Sequence, residues 1–132
     1  MATLPKVMFS HVGVYVHDLA QMETFYRTAL GLVVTDRGTL PGSELVFMSR
    51  DAGEHHQLVL ASGRNGAHDV KVLNQISFRL ETLSDLRKFR DLLSANQDIS
   101  NLVPINHGLA WSIYFRDPEG NRIEIFVDSP WY

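Results

Sequence analysis

Two histidines, an amide and a carboxylate (His11, His56, Gln75 and Glu124) fall at matching points of an internal repeat. Residues 11–26 lie over residues 75–90 at a constant offset of 64, so His11 meets Gln75, Met22 meets Leu86 and Phe25 meets Phe89. A second match lays His56-Gln57-Leu58-Val59-Leu60 over Glu124-Ile125-Phe126-Val127-Asp128, at an offset of 68. Imidazoles with a carboxylate are the donor set that first-row divalent cations take up. Two His and one carboxylate on one side of a cation leave positions open for substrate and for dioxygen or water. Gln is a weaker donor, which coordinates through its carbonyl oxygen or hydrogen-bonds a metal-bound water. One polar residue on a strand is usually only solvated. Four at equivalent points of a repeat point to one common site.

The repeat carries the elements that must position these side chains. Val7 to Val16 reads as a strand, Asp18 as an N-cap, and Leu19, Met22, Phe25, Tyr26, Ala29 and Leu30 as the apolar stripe of a helix closed by Gly31. Leu32 to Thr35, Glu44 to Ser49 and His56 to Ala61 read as three further strands, with turns at Gly38 to Ser43 and Arg50 to Gly53. A polar, glycine-containing linker follows over 62–70. The second half repeats the plan. Asn74 to Leu80 is a strand, and Thr82 or Ser84 caps a helix with Leu83, Leu86, Phe89, Leu92 and Leu93 on one face. A short strand near Leu102 to Ile105 comes next. Ser112 to Arg116 and Ile123 to Val127 then form a hairpin around Asp117-Pro118-Glu119-Gly120-Asn121. Ser129 to Tyr132 is read as a tail whose Trp131 and Tyr132 could cover the mouth of a site.

Side chains alternate along a strand. His11, Gly13 and Tyr15 therefore oppose Val12, Val14 and Val16, and Arg122, Glu124 and Phe126 oppose Ile123, Ile125 and Val127. His56 is expected to share a face with Leu58 and Leu60, and His55 to face solvent on the other side. Gln75 shares its face with Ser77 and Arg79. The fold expected is α+β: a single domain over 1–132 made of two βαβββ modules, about 7–62 and 73–128. Their mixed sheets are expected to curl into a cup with the helices outside and the four polar side chains inside. His107, in a loop before Gly108, and Tyr114, in a strand, are candidate hydrogen-bonding groups, while His17 and His68 carry no signal.

Bulk properties limit what this cup can do. The chain has 132 residues, 45% apolar and 20% charged, which suits one globular core. A net charge of −3 with no basic block gives no footprint for nucleic acid. The longest apolar runs are strand-sized, and Met1 to Lys6 has no apolar signal-peptide core, so neither a membrane nor an export role is expected. The absence of Cys removes thiolate chemistry and fits a cytoplasmic protein.

These residues resemble the vicinal oxygen chelate superfamily, which holds glyoxalase I, the fosfomycin and bleomycin resistance proteins and the type I extradiol dioxygenases. The resemblance covers nearly the whole chain. It is strongest to the catalytic domain of catechol 2,3-dioxygenase-type enzymes, through Ile76 to Thr82, His107-Gly108-Leu109 and Ile113 to Glu124, with Phe9-Ser10-His11 and His56 to Leu60 also fitting. It implies that His11 and Glu124 ligate iron. It also implies that His56 handles a substrate proton and that His107 and Tyr114 hydrogen-bond the bound diol or its ring-cleavage intermediate. Dioxygenases carry their second metal histidine at the place of Gln75, within a His-His pair, where this chain has Asn74-Gln75. Three outcomes follow: His56 becomes the second histidine ligand, Gln75 coordinates as amides do in some glyoxalase I enzymes, or iron binding is lost. The reaction implied first is Fe(II)-dependent extradiol cleavage of a catechol-like ring by a homodimer. A glyoxalase I-type lyase or isomerase using Ni(II), Zn(II) or Mn(II), and a metal-free aromatic-ligand-binding resistance protein, are the alternatives.

Overall fold

The computed structural model describes residues 3–66, 72–108 and 110–130, so His68, Leu109, Trp131 and Tyr132 lie outside the described residues. The chain divides into two compact units, Met1–Asn65 and Gly66–Tyr132, each built on the same order of elements. The first unit runs β1 (Val12–Val16), α1 (Leu19–Ala29), β2 (Val33–Leu40), β3 (Ser43–Ser49) and β4 (Leu58–Ser62). The second runs β5 (Ile76–Arg79), α2 (Leu83–Ser94), β6 (Ser100–Asn106), β7 (Ala110–Arg116) and β8 (Arg122–Asp128). Each unit holds a four-stranded mixed sheet, in the orders β1-β4-β3-β2 and β5-β8-β7-β6. The first and last strands of each unit run parallel side by side, with Val14 opposite Leu60 and Phe78 opposite Ile125. The remaining pairs are antiparallel.

Capping decides where the helices begin. Asp18 Oδ1 accepts from the Gln21 amide at 3.0 Å, and Thr82 Oγ1 accepts from the Asp85 amide at 3.1 Å, so each takes up an orphan donor of the first turn. Gly31, at φ 72°, takes the left-handed conformation that ends α1 at low steric cost. In the first unit Met22, Phe25 and Tyr26 of α1 are buried along with Val46, Met48, Leu58 and Leu60, which share one face of the sheet. In the second, Leu86 and Leu93 are buried along with Ile113, Phe115, Ile123 and Ile125. Each sheet thus spends one face on its helix and leaves the other for polar chemistry.

Four expectations change. The strand expected over Val7 to Val16 shortens to Val12–Val16, because its pairing with β4 begins at Val12 opposite Leu58, the Val12 amide donating to the Gln57 carbonyl at 3.2 Å; Val7, Met8 and Phe9 are exposed. For the same reason His11 precedes β1, His56 precedes β4 and Gln75 precedes β5. Strand β2 runs on to Leu40 instead of ending at Thr35, since pairing with β3 continues to Leu40 opposite Ser43, and the turn contracts to Pro41 and Gly42. Leu92 leaves the apolar stripe and is 68% exposed, while Leu93 is 2% exposed, because only one of two adjacent helical positions can face the sheet. Leu93→Ala should therefore cost about 2–5 kcal/mol of stability, and Leu92→Ala less than about 0.5 kcal/mol. Urea unfolding of the two variants checks this; equal losses would contradict the burial.

Candidate functional site

Glu124 lies in the middle of β8, flanked in register by Ser77 of β5 and Tyr114 of β7. Directly opposed residues project to the same face, so the two hydroxyls meet the carboxylate from either side. Glu124 Oε1 accepts from Ser77 Oγ at 2.7 Å and from Gln75 Nε2 at 3.0 Å. Its Oε2 accepts from Ser112 Oγ at 2.7 Å and from Tyr114 Oη at 2.8 Å. A carboxylate has about four acceptor positions, and all are filled by protein donors. The Gln75 amide also donates to Ser77 Oγ at 3.0 Å, which commits its nitrogen and leaves its carbonyl oxygen free of these bonds. Tyr114 gives its one proton to Glu124, so His107 Nε2, 2.8 Å from Tyr114 Oη, donates in turn. His107, in the loop after β6, is exposed, and Tyr114 is buried. Together they form a hydrogen-bonded line from the surface to the carboxylate. The Arg122 guanidinium lies 4.1 Å over the Tyr114 ring.

Burial pushes the Glu124 carboxyl up. The hydrogen bonds from Ser77, Ser112 and Tyr114, with the positive potential of His107, outweigh it and hold the group below the ordinary Glu range. Glu124 is only 8% exposed and is kept ionised by donors that are themselves neutral. Burial, then the hydrogen bond to Glu124 and its charge, raise the Tyr114 phenol above its ordinary value.

In the first unit the His11 and His56 rings meet edge to face with centroids 4.0 Å apart. His11 Nδ1 is 2.8 Å from Ser10 Oγ, and His56 Nδ1 is 2.8 Å from His55 Nδ1. Phe47 of β3 packs against both His55 and His56, at 5.8 and 5.1 Å between centroids. This corrects the expected faces. His55 and His56 lie on the side of Phe47, whereas Leu58 and Leu60 point to the core with Met48 and Val46. Strand alternation does not apply to His56 because β4 starts after it. Partial loss of hydration, then the neighbouring His11 and His55 rings, hold the His56 imidazolium below the usual histidine range, with Glu54 opposing.

The first unit thus brings His11 and His56 together, and the second brings Gln75, Glu124, Tyr114 and His107 together. Ser77 and Ser112 are site residues that the spacing did not single out; they reach Glu124 only through the pairing of β5 and β7 with β8. Among the described residues, no three His, Cys, Asp or Glu side chains are gathered into a metal-holding group. Taken unit by unit, the donor types are those divalent cations use. The second unit has an anionic carboxylate with no cationic donor on it, which could ligate once one of its four neutral donors gives up its place. The first has the His11 and His56 imidazoles, whose Nε2 atoms are not used in these bonds.

The sequence profile of the Glyoxalase/Bleomycin resistance protein/Dioxygenase superfamily matches residues 8–125. The chain belongs to this superfamily. It is 29% identical over 133 residues to biphenyl-2,3-diol 1,2-dioxygenase 2 of Rhodococcus globerulus, covering 98% of this chain and 66% of that one. It is 30% identical over 127 residues to metapyrocatechase of Pseudomonas sp. (strain CF600), covering 91% of this chain and 39% of that one. The chain therefore spans just under two thirds of the first relative and well under half of the second. Two solved structures share the fold. One is a glyoxylase/bleomycin resistance protein/dioxygenase domain from Frankia sp. EAN1pec (TM-score 0.79, 21% identity, 96% of this chain and 100% of that one). The other is a fosfomycin resistance protein from Listeria monocytogenes complexed with Mn(II) and sulfate (TM-score 0.67, 17% identity, 96% and 97%). Among the described residues no helix is long and apolar enough to cross a membrane.

The lowered Glu124 pKa sets a sign for pH dependence. A depressed carboxyl stabilises the folded state above its unfolded value, and that stabilisation is lost as pH falls through the folded value. Below about pH 4.3 the wild type should lose stability. Glu124→Gln should start lower at neutral pH and lose less over that acidic window. Urea midpoints at stepped pH measure both slopes; parallel slopes would mean that Glu124 is not held ionised by its donors.

Proposed function

We propose that this chain is a metal-dependent extradiol dioxygenase, which opens a catechol-like ring at the bond next to its two hydroxyls and puts both atoms of dioxygen into the product. The observation that carries this reading is the line His107–Tyr114–Glu124, hydrogen bonds that run from an exposed imidazole to an ionised carboxylate. The likeness to the relatives named biphenyl-2,3-diol 1,2-dioxygenase 2 and metapyrocatechase supports it. In this reading His11 and Glu124 are metal ligands, and His56 is the third, because a neutral imidazole is a better donor to such a metal than the amide oxygen of Gln75, and His56 keeps a ring nitrogen outside its bond to His55. Fe(II) is the metal that suits ring cleavage, with Mn(II) next and Ni(II) or Zn(II) fitting only a reaction without dioxygen. Bound there, it would lower the pKa of the diol and mediate electron transfer to dioxygen.

The chain's own groups do the rest. His107 is exposed and exchanges protons with solvent, so it takes up the proton that the diol releases and returns it late in the cycle. Tyr114 is buried with a raised pKa, so it stays neutral and passes a hydrogen bond between His107 and Glu124 instead of carrying charge. Ser77 and Ser112 hold the carboxylate from both sides, which fixes its orientation. The substrate expected is a small aromatic diol, and the working form a homodimer.

Fe(II)-loaded protein should consume oxygen with a catechol panel and give a yellow ring-cleavage product. Tyr114→Phe and His107→Ala should each lower kcat by about 100-fold or more while bound iron stays unchanged. Oxygen-independent turnover with Ni(II) or Zn(II), or no turnover of any catechol by metal-loaded protein, would overturn the reading.

A further inference from the structure

The backbone of β2 carries an irregularity that moves one acidic side chain across the sheet. Val34 pairs with Met48, but the register slips at Thr35, so that Asp36 pairs with Phe47. Residues two apart on a regular strand share a face. Val34 and Asp36 oppose Met48 and Phe47, which are neighbours on β3 and face opposite ways. The bulge therefore carries Asp36 from the core face to the face of Phe47, His55 and His56. Thr35, the extra residue, turns its hydroxyl to donate to the Phe47 carbonyl at 3.2 Å and to the His55 carbonyl, which ties the histidine loop to the bulge.

Asp36 Oδ2 then lies 3.3 Å from His55 Nε2, and His55 Nδ1 lies 2.8 Å from His56 Nδ1. The proton positions follow from the donor inventory. A carboxylate only accepts, so His55 carries its proton on Nε2. Neutral His55 then has a bare Nδ1, which can only accept, so His56 carries its proton on Nδ1. This leaves His56 Nε2 with its lone pair. Phe47 packs both rings and limits their rotation.

We propose that Asp36 and His55 are positioning residues that act through His56, selecting the tautomer in which His56 Nε2 is the free nitrogen. Neither residue needs to touch substrate. Outer groups of this kind set which ring nitrogen of a histidine coordinates a metal or accepts a proton. The use made of that nitrogen rests on the dioxygenase reading above, but the tautomer itself does not. It is a property of the metal-free chain.

Nitrogen-15 NMR of the histidine side chains in metal-free protein at about pH 8, where histidine is neutral, reads it directly. The expected result is a protonated-type Nδ1 and a bare-type Nε2 for His56 in the wild type. In Asp36→Ala and in His55→Phe the two His56 nitrogens should shift toward averaged values. Asp36→Asn keeps a carbonyl acceptor and should restore the wild-type pattern, which separates tautomer control from a general loss of structure. His56 protonated on Nε2 in the wild type, or the same His56 pattern in Asp36→Ala, His55→Phe and wild type, would overturn the proposal. An inactive enzyme with the expected tautomer would overturn the dioxygenase reading alone.

Discussion

A single charge organises the second unit: the Glu124 carboxylate, 8% exposed and still ionised. Taking a carboxylate out of water costs several kcal/mol even after relaxation. Hydrogen bonds to a charged acceptor return about 1.5–3 kcal/mol each, so one or two would leave a deficit and four can close it. Four are present, from Gln75, Ser77, Ser112 and Tyr114. They come from β5, from β7 and from the residue just before β5, so the carboxylate stays charged only while the strands keep their register. A slip of one residue would turn Ser77 and Tyr114 to the other face. Charge and topology therefore depend on one another.

The parallel pairing of first and last strands makes this possible. Ligand-type residues at the start of one strand and within another are far apart in sequence, yet β5 and β8 lie side by side, as do β1 and β4. The same arrangement brings His11 and His56 to ring contact in the first unit. The two units differ in how they manage their polar groups. The second surrounds a carboxylate with neutral donors. The first sets imidazoles edge to face against Phe47, with Asp36 brought round by a bulge.

The sequence by itself determined a great deal. The offsets between the halves revealed two βαβββ modules, and the caps Asp18 and Thr82 and the terminal Gly31 are where local chemistry requires them. Alternation placed Glu124 on the face away from Ile123, Ile125 and Val127, and family resemblance drew attention to His107 and Tyr114. These features are local or periodic, so they can be read from neighbours in the chain. Tertiary structure decided the rest. Strand ends depend on whether a partner strand continues, which is why His11, His56 and Gln75 fall just outside β1, β4 and β5. Helical periodicity put Leu92 and Leu93 on one stripe, and only packing against a sheet separated them. The Thr35 bulge reversed the face of Asp36, and the β4 start released His56 from the face of Leu58. Ser77 and Ser112 became site residues only once β5, β7 and β8 stood in register around Glu124. Hydrogen-bond partners of a buried charge come from strands distant in sequence, and no local pattern encodes which of them will be opposite.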